Sequence, residues 1–129
     1  MLEIRYSEPN ELEISGSAGE LQSVRRKILE LVDSEKSQIS FNADVSIDPE
    51  PYDSALSKLV IVKGHFSASV SLRGGADVYV EGSVDCLEGF ASFLDFDAED
   101  QSGTHSHFEY FEGNDWISSD SVPLVISVK

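Results

Sequence analysis

His105, His107 and Glu109 occupy every second position of "THSHFEYF". On a strand all three would point to one face, since side chains alternate with period two. Two imidazoles and a carboxylate make an acceptable zinc set. Phe108 and Tyr110 fill the opposite row, which reads as the core side and turns the histidine row to solvent. These three residues are the only candidate metal ligands, and the expectation is that they hold no metal. "DFDAED" offers Asp95, Asp97, Glu99 and Asp100 as spaced carboxylates. A calcium loop of the EF-hand kind would also need a turn glycine and a closing bidentate Glu, which are missing. A solvated acidic loop is the expectation there. Cys86 falls in the first turn of an expected helix, a position at which a thiol can be reactive; a lone helical cysteine more often acts as a small hydrophobe. "RGGA" lacks the Lys-Ser/Thr of a phosphate loop, no serine sits in a nucleophile elbow, and His65 reads as a turn residue. No catalytic residue, no enzyme activity and no cofactor are expected.

The loop "EGNDWISSDS" holds the sole tryptophan, Trp116, among polar residues. Trp116 either folds back onto the core or stands exposed beside acids, the make-up of a protein-binding hot spot. With Asp95, Asp97, Glu99, Asp100, Glu112 and Asp115 it forms the candidate partner-binding surface.

Charge points the same way. The chain of 129 residues carries 24 acids against 9 Lys and Arg, a formal net charge of −15. Residues 1–73 hold 12 acids and 8 bases, whereas residues 74–128 hold 12 acids and no Lys or Arg. Such a surface repels nucleic acid and anionic lipid and attracts a basic partner. The alternative is that the acids only keep the protein soluble. The apolar content is ordinary for a globular chain, and the length suits one domain, 1–129. No apolar run approaches the ~20 residues of a membrane span, the opening "MLEIRYSEPN" does not read as a signal peptide, and Cys86 has no intrachain partner. Together these favour the cytoplasm.

Elements that could position these residues follow from periodicity. Leu2, Ile4 and Tyr6, then Leu12 and Ile14, alternate with polar residues around "SEPN", a hairpin. Ser17 with Glu20 makes a capping box, followed by Leu21, Val24, Ile28 and Leu31 at helical spacing. Arg25, Arg26 and Lys27 form a short basic patch on that helix. "SQISFNADVSI" alternates Ile39, Phe41, Ala43, Val45 and Ile47, and "KLVIVKG" is a more continuous, more buried strand. Phe66, Ala68, Val70 and Leu72 alternate with serines; Val78 and Val80 follow the "RGGA" turn. Gly82-Ser83 then opens a second helix carrying Leu87, Phe90 and Leu94. "THSHFEYF" and "VPLVISV" close the chain as strands.

The halves correspond at an offset of 66 positions, which places Ile4 on Val70, Leu12 on Val78, Gly16-Ser17 on Gly82-Ser83, and Leu21, Val24 and Ile28 on Leu87, Phe90 and Leu94. The expectation is two tandem ββαββ units, an internal pseudo-repeat of 1–64 and 66–129. The fold class is α+β: a largely antiparallel sheet of about eight strands with two helices packed on one face.

The segment "HFEYFEGNDWISSDSVPLVISV", with the opening "LEIRYSEPNELEISGSAGELQSVRRKILEL", resembles the predicted immunity proteins of bacterial polymorphic toxin systems, specifically immunity protein family thirty-two. The resemblance is carried by the strand–Gly-Ser–helix start, by His107-Phe108-Glu109-Tyr110, and by Asp120-Ser121-Val122-Pro123-Leu124, and it spans nearly the whole chain. It implies an intracellular bacterial protein that binds and neutralises a cognate toxin without catalysis. A basic nuclease toxin would suit the acidic surface. The alternative is a structural or metal-binding α+β domain using His105, His107 and Glu109.

Overall fold

A computed structural model describes residues 1–129. The first hairpin pairs β1 (Glu3–Ser7) with β2 (Glu11–Gly16). Ser17 then caps α1 (Ala18–Val32) through the expected box. Its Oγ accepts from Glu20 N at 3.1 Å, and the Glu20 carboxylate accepts from Ser17 N at 2.9 Å. Two otherwise unpaired N–H groups are satisfied at once. β3 (Gln38–Asn42), the two-residue β4 (Ser54–Ala55) and β5 (Lys58–Lys63) complete the first half. The second half also opens on a hairpin followed by a helix. β6 (Ser69–Arg73) and β7 (Asp77–Gly82) form a hairpin turned through Gly74 and Gly75, both at positive φ, the left-handed region that glycine enters without penalty. Ser83 caps α2 (Val84–Ser92), its Oγ accepting from Cys86 N at 3.3 Å. β8 (His105–Phe108) and β9 (Leu124–Val128) end the fold.

The class is α+β, as expected, but the strands divide into two sheets rather than one. A five-stranded sheet runs β4-β1-β2-β9-β8 and a four-stranded sheet runs β3-β5-β7-β6. There are nine strands instead of about eight, because β4 adds two pairings to the outer edge of β1. Both sheets are mixed: β2 runs parallel to β9, and β5 parallel to β7. These parallel pairs are the joins between halves. In the first hairpin β2 takes β9 as its parallel neighbour, and in the second β7 takes β5.

The registers of the two sheets correspond. Ile4 faces Ile14 and then Ile126; Val70 faces Val80 and then Ile61. Leu12 faces Leu124, which faces Phe108; Val78 faces Leu59, which faces Phe41. Cross-links outside the sheets correspond too. Leu56 N donates to Ile4 O and Val122 N to Val70 O, each at 2.8 Å. Isolated bridges join Leu2 to Ala43 and Ala68 to Ile117. The recurrent Gly-Ser has its cause in this layout. A Cβ on Gly82 would lie 2.9 Å from the Ala68 Cα, and one on Gly16 would lie 3.3 Å from the Leu2 side chain.

One apolar cluster contains the inner faces of both sheets and the inner stripes of both helices. Leu21, Val24, Ile28, Leu87, Phe90 and Leu94 are all buried in it. Three expected continuations of the pattern fail. β3 stops at Asn42 rather than running to Ile47. The Asp44 carboxylate accepts from Ser46 N at 2.9 Å and from Ser46 Oγ at 2.6 Å, closing a local turn that leaves Val45 exposed. β8 stops at Phe108, so Tyr110 stands exposed instead of joining the core. Phe66 lies ahead of β6 in the connector from β5 and is exposed, while Ala68 and Val70, in the same alternating row, are buried. No helix is long and apolar enough to cross a membrane.

Candidate interaction surface

α2 ends in a tight turn at Phe93, and the acidic loop starts two residues later. Gln22 of α1 fixes the root of that loop: its Nε2 donates to the Asp95 carboxylate at 2.6 Å and to Phe96 O at 2.7 Å. Phe96 is buried beneath. Asp100 closes the loop on itself, its carboxylate accepting from Asp97 N at 2.8 Å while its own N donates to Asp97 O at 3.0 Å. Asp97 and Glu99 are exposed to solvent.

The second loop is held by a different device. Gly113 takes a φ of 91° and Asn114 is buried. The Asn114 Oδ1 accepts from Trp116 N at 3.0 Å and from Ile117 N at 3.3 Å. This Asx turn aims the Trp116 ring inward. Trp116 is half-buried, with its ring centroid 5.8 Å from that of Phe108 and 5.9 Å from that of Phe93. Phe108 in turn meets Phe90 and Phe93 edge to face at 5.0 and 5.1 Å, the arrangement favoured by ring quadrupoles. The ring of Trp116 also lies over Gly89 of α2, 3.0 Å from where a Cβ would stand. Glu112 and Asp115, to either side of Asn114, are exposed.

This aromatic cluster joins the roots of the two loops, since Phe93 leads into one and Trp116 belongs to the other. Both alternatives for Trp116 hold in part: one side of the ring packs on the core and the rest stays open. Tyr110 and Phe111, 39 % and 63 % exposed, belong to the same stretch. Sequence reasoning assigned Tyr110 to the core because the alternation continues through it; the chain leaves the sheet two residues earlier.

His105 and His107 are exposed, their rings edge to face at 5.0 Å, with His105 Nδ1 3.0 Å from Gly103 O. Glu109 lies beyond the end of β8. It lines a shallow cavity of about 260 Å³ with His107 and Tyr52. The Tyr52 hydroxyl pKa is pushed up by burial, with the Glu13 and Glu11 carboxylates adding to the effect. No three His, Cys, Asp or Glu side chains converge on a position that could hold a metal ion. Cys86 is a free, half-buried thiol in the first turn of α2.

Residues 77–129 match the family model of Immunity protein 32. The matched segment takes in β7, α2, β8, β9 and the whole candidate surface from Asp95 to Trp116. It does not reach the first hairpin and α1, so the likeness to Immunity protein 32 is narrower than the near-complete resemblance read from the sequence. No curated protein and no solved structure matches the chain.

Proposed function

We propose that this chain, as one domain of residues 1–129, is an immunity protein that binds a cognate toxin directly and blocks it without catalysis. One observation carries the reading. Within the segment matching Immunity protein 32, two loops rooted on a single aromatic cluster present acids and no Lys or Arg. Asp95, Asp97, Glu99, Asp100, Glu112 and Asp115 supply the field, and the open side of Trp116 supplies contact area. The toxin is basic, and a nuclease fits best, because a surface of carboxylates can occupy a site built for phosphates. Nucleic acid and membrane are not partners, for the same electrostatic reason. The place of action is the cytoplasm.

The test starts from the neighbouring genes, where a toxin domain is the expected finding, and uses that domain as the partner; neighbours that encode no toxin count against the reading. Asp97 and Glu99 are reversed together to Lys, with Asp100 kept because its carboxylate closes the loop. Association should slow by roughly tenfold at low salt, and the difference should shrink once salt passes ~0.15 M, where the Debye length is about 8 Å. An unchanged association rate at low salt would sink the electrostatic site and move attention to Arg25, Arg26 and Lys27 on α1.

A further inference from the structure

Phe66 is the most exposed of the large apolar side chains, at 82 %. Its backbone, by contrast, is tied down. The Phe66 carbonyl accepts from Ser83 N, the cap of α2, at 2.9 Å. Two residues on, Ala68 N donates to Trp116 O at 2.9 Å and Ala68 O accepts from Ser118 N at 2.8 Å. The connector between β5 and β6 is therefore stitched between the start of α2 and the loop that carries Trp116. Trp116 itself lies on Gly89 of the same helix. Phe66, the exposed Val84 that opens α2, and Trp116 are thus held around one helix by a short chain of backbone bonds.

The charged side chains exposed on α2 and on the Trp116 loop are acidic: Asp85 and Glu88, then Asp115 and Asp120. Phe66 also borders a groove of about 230 Å³ whose charged lining is Asp120, Glu81 and Arg73, with Arg73 paired to Glu81 at 3.1 Å. A singly exposed apolar residue is ordinary on a protein surface. Phe66 differs in three respects. It is a whole aromatic ring, its backbone is hydrogen-bonded to the cap of α2, and it shares a groove with the Asp120 carboxylate, which no cation pairs. Its side chain plays no part in the core, although the alternating pattern of β6 extends through it.

We propose that Phe66 is an aromatic anchor for the same basic partner, and that the interface runs from the acidic loops across the first turns of α2 to the β5–β6 connector. This rests on the toxin-binding reading and extends it to a residue outside the family match. The occupant is a basic protein surface. A Lys or Arg of the partner would lay its aliphatic stem along Phe66 and Val84 and set its charged head over the ring or against Asp85 and Asp120. The pre-ordered backbone removes much of the ordering cost that a flexible anchor would carry on binding.

The experiment measures binding of the toxin domain expected among the neighbouring genes to the full chain, to Phe66→Ala, to Phe66→Leu and to Val45→Ala, with a thermal melt of each. Val45 is 60 % exposed on the loop after β3 and serves as an apolar control. Phe66→Ala should weaken binding by about tenfold or more, the range of a hot-spot truncation, mainly through faster dissociation. Its Tm should stay within ~2 °C of the parent. Phe66→Leu should recover part of the loss, and Val45→Ala should bind like the parent. Parental binding by Phe66→Ala, while the Asp97 and Glu99 reversal still slows association, overturns the anchor and leaves the toxin reading standing. An equal loss at Val45 also overturns it. Absence of binding by the parent chain overturns both.

Discussion

Glu3 is the one acid buried in the protein, at 7 % exposure, and it sits between two cations. Arg5 reaches its carboxylate at 2.8 Å, and Lys129 bonds the other oxygen. The Lys129 ammonium holds the Glu3 carboxyl below the ordinary value of 4.5, against burial, which pushes the other way, and with help from Arg5. A carboxyl lowered in the folded state contributes stability above its unfolded pKa and loses it as pH falls through the folded one. Denaturant stability should therefore decline below about pH 4.5, and Glu3→Gln should flatten that decline while lowering stability at pH 7. A parallel pH series of parent and variant checks both. The single tryptophan offers a second residue-level test. Gly89→Ala would place a methyl 3.0 Å from the Trp116 ring. The half-buried ring can swing outward, so its fluorescence should shift to the red. Helix propensity gains up to about 1 kcal/mol from the same change, which should offset most of the lost contact. Trp116 itself could be named from sequence as either core or surface, and it is both. No local pattern encodes that, because the choice depends on Gly89, 27 positions away.

At the scale of elements, Phe90 tests the helix face. It is fully buried and meets Phe108 edge to face. Phe90→Ala should cost on the order of 3–5 kcal/mol, as aromatic truncations in cores do, measured by urea unfolding. Ser17→Ala should cost about 1 kcal/mol through the lost cap. Both helices were legible because their signals are local: a cap, a stripe, a stop. Strand interiors were legible for the same reason. Strand ends were not. Alternation continues from Phe41 to Ile47 and from Phe108 to Tyr110 after pairing has ceased. In the first case the Asp44 side chain outcompetes the ladder for the Ser46 N–H. For Phe66 the pattern continues backward past the start of β6. An alternating row marks which face a residue would take, but not whether a neighbouring strand is there to pair with it.

At the scale of the molecule, we propose that 1–64 and 66–129 are two copies of one unit. The matching registers and cross-links support this, and a superposition of the halves should bring Ser17 onto Ser83 and α1 onto α2. Which strands become neighbours was not legible, since β2 beside β9 and β5 beside β7 are long-range pairings that leave no trace in local spacing. The halves are also incomplete apart, because each hairpin finds its parallel neighbour in the other half. Residues 1–64 and 66–129 made as separate chains should each be largely unfolded by circular dichroism and regain structure when mixed. If either half shows a cooperative thermal transition alone, the exchange of strands is not what holds the fold together.

That exchange also sets an order in time. During synthesis the four-stranded sheet has all its strands once Gly82 has been made, but β2 meets β9 across a separation of 112 residues, Leu12 to Leu124. The first hairpin must wait, one apolar face and one strand edge unpaired, until β9 has left the ribosome. Loop closure over such a span is slow compared with hairpin formation. The nascent protein is thus most prone to wrong pairing in that hairpin, and the five-residue β9 acts as the latch that makes it safe.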